Sequence, residues 1–398
     1  MKEIIINTSK DKKIITVVED TKLIEKYEES QEIKRLEGNI YLGKITDVLP
    51  GMQAAFVDIG DEKNAFLHIK DILPKKSNNT GNKNEDFSKY NIKDYVKVGM
   101  PVIVEVKKDK TEKKGAKVST NLNIAGKFIV LIPNSEFITI SQKIENENEI
   151  CRLKEIVKNC NIKNFGIIIR TSAEGIDEKS IKEDISSLVE IYENIIQKAN
   201  NLRNNNNFQP ELLYQKGNII QRLLLDIGNQ GLENVIVNDK NSYENIKEFI
   251  QNQGLKVNVK IIESSNILNL YDLNKQIEKI SNRKIWLKCG GFITIDKTEA
   301  LTAIDVNSGK FVGKENIEQT VLKVNSEATT EIAKQLRARD IGGIVVIDYI
   351  DMDTKEDEEI IKHLLEENLK KDRAKTQVIG FTKLHLLEMT RKHICSAE

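Results

Sequence analysis

The chain has few of the residues that most often build metal centres and cross-links. Its 398 residues include only four cysteines and four histidines. The cysteines form no C-x-x-C pair, which argues against a zinc site within the chain and favours a reducing compartment. No apolar run approaches the roughly 18 residues of a membrane span, and the N-terminus MKEIIINTSKDKK lacks the apolar core of a signal peptide. We therefore expect a soluble, cytoplasmic protein with no membrane span.

Net charge is also lacking, because 61 lysines and arginines balance 61 aspartates and glutamates. Overall charge therefore does not indicate a nucleic-acid partner, and any such binding must come from local patches. The length allows roughly two to four domains with their own cores.

Short apolar runs predict the organisation of the first half. The runs at 3–8 and 13–19 flank the polar SKDKK and predict a hairpin. The charged residues 21–35 fit either a helix or a strand. Five short strands between residues 36 and 120, separated by glycine and proline, fit a small Greek-key barrel. The polar segment 75–91 is expected to be a flexible loop in that barrel.

Residues 121–280 have mixed α/β character. Around 180–200, apolar side chains form one helical stripe that we expect to face the core; its members are Ile181, Ile185, Leu188, Tyr192, Ile195 and Ala199. In 211–280, three apolar runs surround a short predicted helix.

Two aspartates each end an apolar run. Asp305 and Asn307 follow the run 301–304, and Asp348 follows 344–347, which we predict to be a buried strand. Apolar residues at helical spacing lie between them: Val321, Leu322, Val324, Ala328, Ile332 and Leu336. A strand-helix-strand unit would bring both carboxylates to one side of a sheet, where Mg²⁺ prefers oxygen ligands. This pattern indicates phosphodiester cleavage.

Each aspartate taken alone also fits a turn former or a helix N-cap. The pair, with Asn307 beside it, is harder to explain in that way. The acidic stretch that contains Asp351 and Asp353 fits the start of the next helix, because carboxylates stabilise a helix N-terminus. None of the four histidines lies within the two aspartate segments, which disfavours a metal-free mechanism with two histidines.

The predicted barrel carries a signal for RNA binding. Phe56 and Phe66 lie on adjacent predicted strands, and His68 shares a face with Phe66 by the two-residue period. Aromatic rings on an OB-type barrel stack nucleobases. The segment 107–117 adds a local excess of four positive charges. The alternative is that both phenylalanines are barrel core and the lysines belong to an ordinary solvated hairpin.

Over nearly its full length the chain resembles the catalytic half of the ribonuclease E/G endoribonucleases. The resemblance is carried by IYLGKI, AAFVDIG, AFLHI, RTSAEG, TEALTAIDVNSG, IAKQLRARDIGGIVVIDYIDM, KDRAK and LLEMTRK. It implies a multidomain α/β fold with four parts. These are an RNase H-like scaffold (1–35 plus 212–280), an OB-fold RNA-binding barrel of the S-one type (36–120), a 5′-end sensor (121–211) and a DNase I-like catalytic domain (281–398).

The resemblance also implies residue roles. Asp305 and Asp348 would bind one catalytic Mg²⁺, and Asn307 would orient Asp305 or the scissile phosphate. The barrel residues that match the family's grip on single-stranded RNA are Phe56, Phe66 and Lys114. The residues that match its pocket for a 5′-monophosphate are Arg170, Thr171, Gly126 and Val130. A guanidinium can hold a terminal phosphate bidentately, but Arg170 also fits a simple ion pair with Glu174 or another carboxylate.

The chain departs from the family pattern at two places. The arginine that ends the family's DRAR is Lys375 here, which keeps the charge and loses the bidentate fork. Family members also continue past LLEMTRK into a C-P-x-C zinc link and a small dimerisation domain. This sequence stops at Glu398 with Cys395 alone, so we expect neither structural zinc nor a zinc-linked dimer, although another homo-oligomer stays open.

The sequence thus favours a Mg²⁺-dependent endoribonuclease that cleaves single-stranded RNA to 5′-phosphate and 3′-hydroxyl ends and prefers 5′-monophosphorylated substrates. Its substrate could be ribosomal, transfer or messenger RNA. One alternative is an RNA-binding protein with little or no cleavage, because the dimerisation region is missing. Another is a phosphohydrolase of small nucleotides, which would leave the barrel without a role.

Overall fold

The computed structural model describes residues 1–30, 35–73, 89–204, 208–264, 267–309 and 317–395. The chain divides into two compact units, one formed by 1–33 with 231–398 and the other by 34–230. Each unit contains two β-sheets. Residues 212–230, expected to belong with the N-terminal scaffold, lie in the second unit.

The strands in chain order are β1 (Lys2–Thr8), β2 (Lys12–Glu19), β3 (Lys22–Ser30), β4 (Ile40–Leu49), β5 (Ala54–Asp58), β6 (Ala65–His68), β7 (Pro101–Lys108), β8 (Lys117–Ser119), β9 (Ile124–Ala125), β10 (Ile129–Pro133), β11 (Ile138–Ile140), β12 (Phe165–Ile169), β13 (Glu211–Tyr214), β14 (Leu232–Val237), β15 (Asn258–Ile261), β16 (Lys284–Trp286), β17 (Phe292–Lys297), β18 (Leu301–Asn307), β19 (Gly343–Asp348), β20 (Thr376–Phe381) and β21 (Leu386–Arg391). The helices are α1 (Glu147–Asn159), α2 (Glu178–Arg203), α3 (Ile219–Ile227), α4 (Lys240–Asn252), α5 (Leu273–Ser281), α6 (Ile317–Ala338) and α7 (Lys355–Leu369). In the described ranges, no helix has the length and apolar character needed to cross a bilayer.

The N-terminal sheet of the first unit has the order β15-β14-β1-β2-β3. β1 and β2 form the predicted antiparallel hairpin, and β3 continues it, so residues 22–30 are strand rather than helix. β14 pairs in parallel with β1 and places Ile236 opposite Ile5. Ile4, Ile5 and Ile6 are fully buried, as expected for a central strand covered on both faces.

The five strands predicted between 36 and 120 form a closed barrel. The sheet has the order β13-β4-β5-β6-β8-β7; β4 also pairs with β7, which closes the ring of five strands, and β13 pairs with β4 as a sixth strand. Ile45, Val57, Leu67, Val104 and Val118 fill its interior. Most of the loop predicted at 75–91 lies outside the described residues.

The second unit also contains α3 and a sheet of order β11-β12-β10-β9 with α1 and α2. Asp177 caps α2, since its carboxylate accepts the Ser180 N–H at 2.9 Å. The predicted stripe of α2 is confirmed as core: Ile181, Ile185, Leu188, Ile195 and Ala199 are buried. Tyr192 is half-buried, and its ring contacts the Phe165 ring edge-on at 5.4 Å.

The second sheet of the first unit has the order β16-β17-β18-β19-β21-β20. β18 and β19 pair in parallel and α6 connects them, which confirms the predicted strand-helix-strand unit. Core side chains from α6 and α7, such as Val324, Ile332 and Leu365, pack with Ile304 and Ile347 of the sheet.

The prediction that residues 344–347 are buried throughout was wrong. Val345 and Ile347 are fully buried, but Ile344 is 51% exposed and Val346 is half-buried. Among the residues that the structure describes, helices cover one face of this sheet, so alternate side chains of β19 face outward. We call the outward side the open face; Asp305 and Asp348 lie on it.

A buried carboxylate joins the two sheets of the first unit. Glu25 of β3 is 1% exposed and pairs with Arg337 of α6 and with Arg373, each at 2.7 Å. The Tyr27 hydroxyl also lies 2.9 Å from Glu25. Burial alone raises the pKa of Glu25, but the charges and hydrogen bonds of Arg373 and Arg337 outweigh burial and lower that pKa to about 2.

Glu25 should therefore make the first unit sensitive to acid. Its folded-state pKa lies below the unfolded value, so its contribution is fully present above about pH 4.5 and is lost as pH falls toward 2. Glu25→Gln should lower the free energy of unfolding at pH 7 by about 3–5 kcal/mol, because two half-buried arginines lose their buried counter-charge. Urea unfolding at pH 7 and at pH 3 measures both effects.

Glu28→Gln is the matched control, because Glu28 is on the same strand but exposed. It should change stability by less than about 1 kcal/mol. Equal effects of the two substitutions would contradict the assigned role of Glu25.

Candidate functional site

Asp305 and Asp348 are direct neighbours on the open face. In the parallel register of β18 and β19, Asp305 lies opposite Asp348, as Ile304 lies opposite Ile347. Both aspartates are exposed, whereas the isoleucines are buried. Adjacent strands are about 4.8 Å apart, so the two carboxylates converge at the same point on the sheet.

Asn307 lies on the same face and fixes Asp305. Its Nδ2 donates to Oδ2 of Asp305 at 2.5 Å. Asn307 is the second residue after Asp305 along β18, and side chains at that spacing point to the same side of a strand. Of the two roles that the sequence suggested for Asn307, this geometry supports the orientation of Asp305.

The electrostatics of the pair suit a cation. Partial burial, followed by the charges of Asp305 and Asp351, raises the pKa of Asp348. Like charges held this close repel each other, and a bound cation would relieve the repulsion. Asp351 was considered from sequence only as part of a helix start; α7 in fact begins after Thr354, whose hydroxyl caps it.

The donor set fits Mg²⁺. Among the described residues, no group of three or more His, Cys, Asp or Glu side chains could hold a metal. Mg²⁺ does not need such a group, because it is commonly bound through one or two carboxylates and keeps several waters. Asp305 and Asp348 supply two hard oxygen donors that face solvent.

In the barrel, Phe56 and Phe66 lie opposite each other on β5 and β6. Their ring centroids are 6.1 Å apart in an edge-on arrangement, and the His68 ring is 6.4 Å from Phe66. Both phenylalanines are half-buried, while the alternating neighbours Val57 and Leu67 fill the interior. The rings therefore lie on the outside of the barrel, which disfavours the alternative that they are core.

The lysines of 107–117 are less available than their number suggests. Three of the six pair with carboxylates outside that segment: Lys107 with Glu105, Lys110 with Asp61 and Glu62, and Lys117 with Asp71. Lys114 is exposed, and its backbone N–H donates to the Thr111 hydroxyl at 3.1 Å.

Arg170 emerges at the end of β12 and is already engaged. Its Nη1 donates to the Gly126 carbonyl at 2.6 Å, and its Nη2 forms an ion pair with Asp226 of α3. The Thr171 hydroxyl lies 2.8 Å from that of Ser141. The structure thus brings Arg170 to Gly126, and the alternative of an ion pair holds with Asp226 rather than with Glu174.

Asp184 of α2 holds the backbone that follows Gly126. Its carboxylate accepts the backbone N–H groups of Lys127, Phe128 and Ile129 at 2.8–3.1 Å. A Cβ at Gly126 would lie 2.6 Å from its Oδ1, so the position requires glycine. Val130 on β10 lies opposite Ile168 on β12, and Ile168 is two residues before Arg170.

Sequence reasoning missed both Asp184 and Asp226. Each is one acidic residue on a helix, and its partner lies far away along the chain: Asp226 is 56 residues from Arg170, and Asp184 is 55 residues from Ile129. No local pattern distinguishes such residues from ordinary solvated carboxylates.

The two remaining sequence predictions concern the C-terminal part. Lys375 is exposed, and its carbonyl accepts the Lys392 N–H at 2.9 Å. Cys395 is buried, and its N–H donates to Oδ2 of Asp340 at 2.7 Å. Asp340 also pairs with the fully buried Arg391 at 2.8 Å.

Comparison with known proteins places the chain among characterised families. The model of the Ribonuclease E/G family matches residues 123–394, and the S1 RNA binding domain matches residues 35–121. Ribonuclease G of Salmonella typhimurium is 36% identical over 98% of this chain and 79% of its own length. Ribonuclease G of Haemophilus influenzae has the same identity and coverage. Ribonuclease E of a Nostoc species is 35% identical over 89% of this chain and 51% of its own length.

The barrel described above coincides with the S1 match, and the Asp305–Asp348 pair lies within the other match. With relatives that align along nearly its whole length, the chain belongs to the Ribonuclease E/G family of endoribonucleases.

Proposed function

We propose that the protein is a Mg²⁺-dependent endoribonuclease that cleaves single-stranded RNA in RNA processing and decay. The observation that carries this proposal is the register of β18 and β19, which places Asp305 beside Asp348 on an open face. Membership of the Ribonuclease E/G family and the S1 match support RNA as the substrate. The RNA could be ribosomal, transfer or messenger RNA.

In the proposed mechanism, Asp305 and Asp348 would hold one Mg²⁺ through their carboxylate oxygens. The hydrogen bond from Asn307 restricts Asp305 to one orientation before metal and substrate arrive. When bound, the metal would activate a water and offset the charge that develops on the phosphate. The open face leaves room for an extended strand to cross the two carboxylates, and attack by water would leave 5′-phosphate and 3′-hydroxyl ends.

The 5′-end sensor is a second part of the proposal. A terminal phosphate could replace Asp226 as the partner of the Arg170 guanidinium, with the Thr171 hydroxyl adding a hydrogen bond. Asp226 then competes with the phosphate, so the pocket would bind only ends with enough charge to displace it.

The finer fold assignments are likewise proposals. We infer an RNase H-like scaffold from residues 1–35 with 212–280, of which 212–230 lie in the second unit, and a DNase I-like domain at 281–398. Between these segments we infer the OB-fold barrel at 36–120 and the sensor at 121–211. The N-terminal sheet, in which β14 returns to pair with β1, supports a scaffold built from two separate stretches of chain.

The first test concerns the metal ligands. Asp305→Asn and Asp348→Asn should each lower cleavage of a labelled single-stranded oligonucleotide by about 100-fold or more, because each change removes the charge of one metal ligand. Each factor of ten in rate corresponds to about 1.4 kcal/mol of transition-state stabilisation. RNA affinity should change little. Asn307→Ala should be milder, roughly tenfold, because it acts through Asp305. Titration calorimetry with Mg²⁺ gives an independent measure of the site.

Asp353→Asn is the control, because Asp353 is an exposed carboxylate that follows β19, the strand that ends at Asp348. It should leave both cleavage and Mg²⁺ binding unchanged. An unmutated protein that binds the oligonucleotide but does not cleave it with Mg²⁺ would favour the alternative of an RNA-binding protein. Near-normal turnover by either Asp variant would show that the assigned site is wrong.

The second test concerns the barrel. Phe56→Ala and Phe66→Ala should weaken RNA binding by roughly 1–3 kcal/mol each through lost stacking. Lys114→Ala should instead reduce the slope of log affinity against log salt by about 0.7, the contribution of one phosphate contact on a single strand. Binding titrations at several salt concentrations separate the two effects.

Lys158→Ala on α1, an exposed lysine outside the barrel, should leave that slope unchanged. If the phenylalanines were core, their variants would instead lose about 3–5 kcal/mol of stability together with RNA binding. Thermal melting distinguishes this result from a loss of stacking.

The third test concerns the substrate end. RNA with a 5′-monophosphate should be cleaved faster than the same RNA with a 5′-hydroxyl, and a triphosphate should behave like the hydroxyl because it is bulkier than the monophosphate. Arg170→Ala should remove the preference without abolishing internal cleavage. Asp226→Asn should strengthen it, because Arg170 loses its competing partner. Equal rates on all three ends in the unmutated protein would remove the sensor but not the nuclease.

A further inference from the structure

The open face carries an aromatic cluster that the proposed mechanism does not use. Trp286, the only tryptophan in the sequence, is 62% exposed on the edge strand β16. Its ring lies 5.3 Å from the Phe292 ring in an edge-on arrangement. The Lys284 ammonium lies 4.2 Å from the Trp286 ring centroid and 3.5 Å from that of Phe292. We call these three residues the aromatic shelf.

The strand register fixes the position of the aromatic shelf. Trp286 lies opposite Phe292, and Phe292 lies opposite Asn307. Residues directly opposite each other in a sheet point to the same side, so the shelf lies on the face that carries Asp305 and Asp348. Two strand spacings, about 10 Å, separate Trp286 from Asn307.

Packing does not account for Trp286. Its neighbour Ile285 is buried and supplies the core contact of β16, whereas the indole faces solvent. Most of the indole surface is in contact with water, and a ligand that bound over the ring would remove that contact. Lys284 beside the rings adds a positive charge that suits a polyanion.

We propose that the aromatic shelf stacks a base of the RNA substrate close to the scissile phosphate, while Lys284 faces a neighbouring phosphate. The inference rests on the proposed function, because Asp305 and Asp348 define where the scissile phosphate lies. An extended single strand crosses the distance from Asn307 to Trp286 within a few nucleotides. Stacking on an aromatic ring accepts every base, so the shelf would position the strand without selecting its sequence.

Intrinsic fluorescence tests the proposal directly, because Trp286 is the only tryptophan. A single-stranded oligonucleotide is titrated into the Asp305→Asn variant, which keeps the RNA intact, and binding is followed in parallel by anisotropy of a 3′ dye. Indole fluorescence should be quenched with the same midpoint as binding. Replacing single bases with abasic spacers should abolish quenching at one or two adjacent positions near the cleavage site and leave it intact elsewhere.

Turnover gives the second readout. Trp286→Ala should lower kcat/KM on single-stranded RNA by about 5- to 100-fold, the range expected for one stacked base. Trp286→Phe should lose less, because a ring is kept. Ile379→Ala is the matched control, since Ile379 is 55% exposed on β20 at the opposite edge of the same sheet. It should leave kcat/KM unchanged.

Constant fluorescence at saturating RNA would overturn the shelf, and so would quenching that no abasic position removes. Fluorescence that changes with protein concentration alone would assign the surface to a second copy of the chain and overturn it as well. If Trp286→Ala fails to fold, the kcat/KM of Trp286→Phe and the fluorescence titration of the Asp305→Asn variant still test whether the aromatic shelf binds RNA. Failure of the nuclease proposal is separate, because it appears as unchanged cleavage by Asp305→Asn, whatever the indole reports.

Discussion

The parallel pairing of β18 with β19 is the constraint on which the catalytic proposal depends. A parallel pair requires a crossover, here α6, and it brings the C-terminal ends of both strands to the same edge. Asp305 and Asp348 thereby become neighbours although a long helix separates them in sequence. Partial burial, followed by the charges of Asp305 and Asp351, raises the pKa of Asp348, and a cation bound between the two carboxylates would relieve that cost. The fold tolerates that cost because Ile304 and Ile347 anchor the same two strands in the core.

The one-sided cover of the sheet gives the open face its chemistry. Because α6 and α7 pack against a single face, every second side chain of β16 through β19 is free to be polar or aromatic without loss of core packing. Metal ligands and the aromatic shelf therefore occupy one surface and share one register. An extended polymer suits such a surface better than a small nucleotide, which would need an enclosed pocket.

Local patterns in the sequence predicted the helices and strands well. They predicted contacts between residues that are distant in sequence poorly. The hairpin, the barrel strands and the strand-helix-strand unit follow from two- and four-residue periods that any short window shows. Glu25 could not be recognised as buried, because it lies in a charged stretch and its partners Arg337 and Arg373 come from the far end of the chain. Ile344 was misassigned since hydrophobicity does not reveal which face of a sheet is covered. The sequence likewise did not indicate that Trp286 is exposed, because hydrophobicity does not show on which face of the sheet the indole lies.

The return of β14 to pair with β1 also has a consequence for how the chain folds. The hairpin of β1 and β2 is made first, yet its apolar edge, with Ile4, Ile5 and Ile6, has no partner until β14 follows the second unit. Pairings between residues so far apart in sequence form slowly, and an unpaired apolar edge invites association with other chains. Residues 34–230 are continuous and can fold during this delay. We therefore expect the barrel to acquire its structure early in synthesis, and the sheet with the paired aspartates only once nearly the whole chain has been made.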